Sequence, residues 1–129
     1  MSPAILDTSV LIARESDQPL PRSLPDDVAI SVVSIAELEV GVLIAQDTEI
    51  RGRRLRTLTG VRALAAAVPI DERTASAYAQ LAARAISLGR KPRIHDTWIA
   101  ATALANGAEV WTRDADFSDF ADSVTVVNV

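Results

Sequence analysis

Acidic side chains occupy several positions where an apolar run ends or a helix begins. Asp7 interrupts the run AILDTSVLIA, and Glu37 follows the β-branched run VAISVV. Asp96 opens another helical segment, while Asp114 and Asp116 come directly after EVWT. Carboxylates bind hard divalent cations, and such ions activate water for hydrolysis. These five acids are therefore candidates for a catalytic and metal-binding site.

Each acid, taken alone, also has a purely structural interpretation. Ser34 and Glu37 match the capping-box pattern S-x-x-E, with a helix predicted to open at Ser34. Asp7 and Asp96 could cap or complement helix N-termini. The two acids after EVWT could form an Asx turn. One such acid carries no functional information; only their arrangement in space can.

The elements that must position these acids alternate between strands and helices. The runs AILD, VAISVV, AVPI, EVWT and VTVVNV predict strands. Helices are predicted over TSVLIARE, over SIAELEVGVLIAQ, and over residues 48–67, 72–88 and 95–105, with Asp71 as the cap of the fourth. The proline-rich segment SDQPLPRSLPDD predicts a loop. This alternation predicts an α/β fold with a mainly parallel sheet of four to five strands, covered on both faces.

Topology brings the acids together. In a parallel sheet, the helix after each strand begins at the carboxyl edge, where ligands bind. The helix of Asp96 feeds the strand EVWT, so it must begin at that edge as well. The connector 89–94 can extend roughly 20 Å, which is long enough to reach it. Acids from four separate segments are therefore predicted to converge on one rim.

Carboxylates that gather this closely repel one another, and a divalent cation relieves the conflict. The chain has no cysteine and a single histidine, so an all-oxygen site for Mg²⁺ or Mn²⁺ is favoured over a zinc site. Such ions are completed by water and by substrate phosphate. The residues therefore indicate metal-assisted hydrolysis of a phosphodiester.

Length and composition restrict the remaining possibilities. The 129 residues, 49% of them hydrophobic, predict one domain over residues 1–129. The longest apolar run is too short for a membrane span, and the N-terminal residues do not resemble a signal peptide. Without cysteines there are no disulfides, so a cytoplasmic location is expected. The net charge of −4 argues against a general nucleic-acid coat protein.

The motifs LDTSVLIA, SVVSIAELEVGV, HDTWIAATALANGAEVWTRDADF and VTVVNV resemble those of PIN-domain nucleases, specifically the VapC-type toxins of bacterial toxin–antitoxin pairs. The match runs from the first strand to the last. The resemblance implies a PIN-like three-layer α/β/α fold and Mg²⁺- or Mn²⁺-dependent endoribonuclease activity on RNA, such as tRNA or rRNA. It also implies a homodimer and a small cognate antitoxin over the acidic pocket.

The family's functional positions carry over to this sequence residue by residue. The acidic positions of the motifs fall on Asp7, Glu37, Asp96 and Asp114 as catalytic residues and metal ligands. Asp116 matches a further, less uniform metal-binding acid. Many members have asparagine at the position of Asp114, so either direct ligation or support of the other ligands is open there. The family's small hydroxyl residues near the metal fall on the supporting residues Thr8 and Thr112.

Positive groups near the acids could contact RNA phosphates. The candidates are Arg90, Lys91, Arg93 and Arg113. The arginines of the third helix are more simply explained as a solvated face. His95 lies beside Asp96 and could act as a general base, although metal-bound water makes it unnecessary. The two tryptophans are expected in the core or an interface.

Two other functions fit a carboxylate cluster on this fold. A phosphohydrolase of small phosphate esters could use it, although the haloacid-dehalogenase type requires D-x-D after the first strand, where this chain has Asp7 and Ser9. A non-catalytic module could use the acidic pocket to bind a basic partner. Dependence on a divalent ion separates the enzyme from the binding module.

Overall fold

A single parallel sheet forms the centre of the molecule. The computed structural model describes residues 3–15 and 22–129, and in these residues the strands are Ala4–Leu6 (β1), Val28–Ser31 (β2), Ala66–Val68 (β3), Glu109–Thr112 (β4) and Val126–Asn128 (β5). Their order is β3-β2-β1-β4-β5, and every neighbouring pair is parallel. The predicted α/β fold with a parallel sheet is confirmed, and β1 is its middle strand.

Helices connect the strands and cover both faces of the sheet. They are Thr8–Glu15 (α1), Val32–Ile44 (α2), Thr48–Leu64 (α3), Glu72–Ser87 (α4) and Ile94–Ala105 (α5), followed by a 3₁₀ helix over Ala115–Phe120. Part of the predicted proline-rich loop, residues 16–21, lies outside the described residues. Among the helices that are described, none has the length and apolar character needed to cross a membrane.

Alternating side chains along β1 divide the core into two layers. Ile5 packs in a buried cluster with α4, α5 and the 3₁₀ helix, whereas Ala4 and Leu6 pack with α1, α2 and α3 on the opposite face. Successive strand residues point to opposite faces, so a strand covered on both sides must be apolar throughout. The structure therefore has the predicted three layers. Trp111 is buried in the second cluster, and Trp98 stacks on Tyr78 with ring centroids 4.1 Å apart.

The start of α2 differs from the prediction. The helix begins at Val32, and its N-cap is Ser31, whose hydroxyl accepts a hydrogen bond from the backbone N–H of Val33. The predicted start at Ser34, with Glu37 as its capping-box partner, is wrong. The β-branched run VAISVV suggested a longer strand, but a hydroxyl at its fourth position stops the strand and caps the helix.

Two other element boundaries differ from the prediction by one to three residues. The helix predicted over 48–67 ends at Leu64, and the strand predicted at AVPI is Ala66–Val68, which pairs with β2. The predicted stop at the Asn–Gly pair is confirmed, because Asn106 is the C-cap of α5 and Gly107 has φ +60°.

Asp71 provides a test of the predicted cap of α4. Its carboxylate accepts hydrogen bonds from the backbone N–H and the hydroxyl of Thr74, at 2.9 and 2.8 Å. The backbone hydrogen bond from Thr74 is the main cause of a lowered pKa of Asp71. We expect D71A to lower the Tm by a few degrees near neutral pH. Thermal unfolding followed by circular dichroism measures this, with the exposed Ser76→Ala as control.

The sign of the pH dependence follows from that lowered pKa. An acid with a lower pKa in the folded state stabilises the protein above its unfolded pKa, and this contribution is lost as the pH falls through the folded value. The Tm difference between wild type and D71A should therefore shrink in strong acid. A difference that stays constant into strong acid would show that the carboxylate charge is not involved.

Candidate active site

Acidic side chains from four segments lie at the carboxyl edge of the sheet. Asp7 directly follows β1, and Asp114 comes two residues after the end of β4. Glu37 lies in the second turn of α2, whereas a helix that began at Ser34 would have placed it in the first turn. Asp96 lies in the first turn of α5, so the connector before it does return the chain to this edge.

Asp7 is held by hydroxyl groups. It is 5% exposed, and its Oδ2 accepts hydrogen bonds from Ser9 Oγ at 2.6 Å and from Thr112 Oγ1 at 3.0 Å. Its backbone N–H donates to the carbonyl of Trp111, which ties the end of β1 to β4. The buried hydroxyl of Thr112 also accepts from the backbone N–H of Asp114 at 2.9 Å. One threonine thus links the acid after β1 to the acid after β4.

Glu37 is oriented by the hydroxyl of Thr8. Thr8 Oγ1 lies 2.9 Å from Glu37 Oε1 and 2.9 Å from the buried Ser34 Oγ. The Thr8 hydroxyl is the donor in both contacts and carries a single proton, so Glu37 and Ser34 share that donor. Ser34 therefore contacts Thr8 beside Glu37 and does not form a capping box. His95 Nδ1 lies 3.6 Å from the other carboxylate oxygen, and the histidine side chain is 66% exposed.

Arg93 joins the remaining acids. Its Nη1 lies 2.7 Å from Asp96 Oδ2, 3.8 Å from Asp114 Oδ2 and 3.6 Å from Asp116 Oδ2. Its Nη2 donates to the backbone carbonyl of Asp116 at 2.7 Å. Asp114 also caps the 3₁₀ helix by accepting from the backbone N–H of Asp116, so the Asx-turn interpretation is correct for it. Its second oxygen remains directed toward the cluster.

The pKa of Asp96 reflects its burial and the charges of its neighbours. Its pKa is raised, mainly because burial disfavours the charged carboxylate. The guanidinium of Arg93 opposes that rise, whereas the negative charges of Asp7, Asp114 and Glu37 add to it. Three neighbouring carboxylates therefore act on Asp96, and the site has an excess of negative charge.

The donor set suits Mg²⁺ or Mn²⁺, because every candidate ligand is a carboxylate or hydroxyl oxygen. The distances between these side chains, by contrast, are longer than a metal site requires. In the part of the chain that the structure describes, no three acidic or histidine side chains stand close enough together to hold an ion. An ion would therefore require the carboxylates to move closer together than they stand here.

The sequence from residue 4 to residue 123 matches the PIN domain family, which covers most of the chain. The chain belongs to the PIN domain family. It is 45% identical over 128 residues to Ribonuclease VapC5 of Mycobacterium tuberculosis, a match that covers 97% of this chain and 94% of that protein. It is also 36% identical over 131 residues to Ribonuclease VapC4 of the same organism, with 98% and 96% covered.

Solved structures agree with this placement. A chain of the VapBC-5 toxin–antitoxin structure from Mycobacterium tuberculosis superposes with a TM-score of 0.87 at 40% identity, covering 100% of both chains. FitAcB from Neisseria gonorrhoeae gives a TM-score of 0.78 at 31% identity, covering 97% of this chain and 96% of that one. The resemblance to VapC-type toxins inferred from the motifs is confirmed.

The positive residues of this PIN domain fall into two groups. Arg113, next to Asp114, and Lys91, in the connector before α5, are exposed, and Arg90 Nη1 lies 3.7 Å from Asp119 Oδ1. In α3, by contrast, Arg51 donates to the carbonyl of Ala45 and Arg54 to that of Gly41. These two arginines join α3 to the end of α2, so they have a packing role.

Sequence reasoning missed the roles of Ser9 and Ser34 in the PIN site. The sequence pattern places Ser9 only within the first predicted helix, yet its hydroxyl contacts Asp7 and accepts from the backbone N–H of Arg113 at 3.0 Å. Its position two residues after the acid was the available signal, because Ser commonly bonds to a neighbouring acid or turn. The Ser34 contact crosses 26 positions in sequence, and no local signal predicts it.

Substitution of Thr112 tests whether this hydrogen-bond network contributes to stability. T112V removes the hydroxyl that donates to Asp7 and accepts from the N–H of Asp114, which leaves buried polar groups unpaired. We expect a loss of about 1–3 kcal/mol in the free energy of unfolding, measured by urea denaturation. Thr59→Val, on the exposed face of α3, is the matched control. If T112V is as stable as T59V, the hydroxyl does not hold the two segments together.

Proposed function

We propose that this PIN domain is a Mg²⁺- or Mn²⁺-dependent endoribonuclease and acts as the toxin of a toxin–antitoxin pair in the cytoplasm. The observation that carries the proposal is the group of carboxylates from four segments at one edge of the sheet, each held by a hydroxyl group or by an arginine. The relatives named as ribonucleases VapC5 and VapC4 support an RNA substrate.

The proposed ligands are Asp7, Glu37, Asp96 and Asp114, with Asp116 at the margin. A bound Mg²⁺ or Mn²⁺ supplies activated water and neutralises charge on the phosphate during cleavage. The chain's own contribution is orientation. Thr112 and Ser9 restrict Asp7, and Thr8 restricts Glu37, so these carboxylates lose little freedom when they bind.

The proposed RNA path follows the exposed positive groups beside the acids. Arg113 and Lys91 are exposed, and Arg113 is anchored through its backbone to Ser9 next to Asp7. Arginine binds phosphate through two parallel hydrogen bonds, whereas lysine acts as a point charge. Setting aside the five candidate acids leaves 17 − 5 = 12 acidic against 13 basic residues. That balance favours a selected, folded RNA such as tRNA or rRNA over general binding.

The proposed protein partner is an antitoxin that covers the site. A groove of about 360 Å³ borders Glu37 and is lined by Ile12, Val40 and Ile44, which are 49%, 53% and 67% exposed. Apolar surface of this kind beside a polar site is typical of a protein interface. The matching structures are toxin–antitoxin complexes, which supports this partner. Other exposed apolar side chains, including Leu55 in α3, leave area for a homodimer.

Cleavage of total cellular RNA by the purified, partner-free chain tests the activity. We expect discrete fragments with Mg²⁺ or Mn²⁺ and none with EDTA. D7N and D96N should each reduce the cleavage rate by about a hundredfold or more, because replacement of residues that only support metal ligands already costs about 10- to 100-fold. The control is D26N, an exposed aspartate just before β2, at the opposite edge of the sheet. It removes one negative charge without touching the site.

The alternatives give different results in the same assay. Hydrolysis of a small phosphate ester by protein that leaves RNA intact would identify a phosphohydrolase. Folded protein that cleaves neither substrate with any ion, but still binds a basic partner when Asp96 is replaced by asparagine, would identify a binding module. If D7N, D96N and D26N cleave RNA at equal rates, the carboxylates of Asp7 and Asp96 have no role in the reaction.

A further inference from the structure

Arg93 is the one described side chain within 4 Å of three different carboxylates at the site. Its Nη1 lies 2.7 Å from Asp96 and less than 4 Å from Asp114 and Asp116. The acids on this side of the site therefore surround a positive charge that the chain itself supplies. Arg93 thereby reduces the repulsion between these like charges.

The guanidinium is held there by contacts beyond the carboxylates. Nη2 donates to the carbonyl of Asp116, and the guanidinium carbon lies 5.9 Å and 5.8 Å from the ring centroids of Phe117 and Phe120. Both rings are buried, so they form a rigid surface beneath the charge. Arg90, three residues earlier, has one ion pair at 3.7 Å and is more exposed. Arg93 thus has a built position, which a solvated surface arginine lacks.

A divalent ion and this arginine require the same oxygens. Mg²⁺ and Mn²⁺ take carboxylate oxygens at short distances in a compact shell, and Asp96 Oδ2 already accepts a charge-assisted hydrogen bond from Arg93. In the described ranges, the acids do not yet stand close enough together for an ion. The acids on the α5 side are instead arranged around the guanidinium.

We propose that Arg93 is an internal counter-cation that competes with the divalent ion for Asp96 and Asp114. The inference rests on the proposed function, because it concerns the same metal site. Arg93 offsets part of the negative charge of the cluster and holds the segment after β4 through the carbonyl of Asp116. Binding of the ion then displaces the guanidinium from Asp96. Metal affinity is therefore limited by a residue of the chain itself.

Mn²⁺ affinity without RNA tests this directly, measured by the paramagnetic resonance signal of free Mn²⁺ during titration. We expect R93Q and R93M to bind Mn²⁺ at least about tenfold more tightly than wild type, equivalent to about 1.4 kcal/mol. R93M keeps the apolar stem over the rings, so it provides a second neutral variant if R93Q does not fold. R93K keeps the charge and should stay near wild type.

R90Q is the matched control, because it removes the same charge from the same connector without contacting the carboxylates of the site. It should change the Mn²⁺ affinity little. Unchanged or weaker binding by folded R93Q and R93M overturns the proposal, as does an equal gain in R90Q. If wild type still binds Mn²⁺ and cleaves RNA in those cases, the proposed nuclease function stands. If neither wild type nor any variant binds Mn²⁺, both proposals fail.

Discussion

Repulsion between carboxylates is the constraint on which the carboxyl edge of the sheet depends. Like charges repel, so acids that share one edge need partners that hold them in place. Asp114 is held by the backbone N–H of Asp116, which donates to its carboxylate. Asp7 has the hydroxyls of Ser9 and Thr112, Glu37 has that of Thr8, and Asp96 has Arg93. Every buried side-chain polar atom among the described residues has a hydrogen-bond partner, so the network is complete where it is buried.

The parallel sheet makes this arrangement possible. β1 is the middle strand, so the acid that follows it lies between elements that come from both sides. The residues of β1 are apolar on both faces of the sheet, and the polar side chain of Asp7 follows directly after the strand. The partners that hold the acids come from distant segments, such as Thr112, which lies 105 positions from Asp7. The fold and the site therefore stabilise each other.

The order of elements and the edge at which the acids meet could be predicted from sequence. Alternating apolar runs and helical patterns required a parallel sheet, and that topology required the helix of Asp96 to start at the same edge as Asp7. The boundaries were less predictable. Ser31 and Ser34 are both possible N-caps by residue type, and only the pairing of β2 with its neighbours selects Ser31. The predicted start at Ser34 also made Glu37 a possible capping-box partner, which the structure rules out.

The sequence by itself determined which side chains could bind a hard cation, the absence of cysteine chemistry and the class of fold, because these follow from residue type and periodicity. The tertiary structure decided which hydroxyl holds which acid, and that Arg93 lies among the acids rather than facing solvent. Such contacts depend on how α1, α2, α5 and the segment after β4 pack against one another. Side-chain distances of 3 to 4 Å across 20 or more positions are set by that packing and by no local pattern.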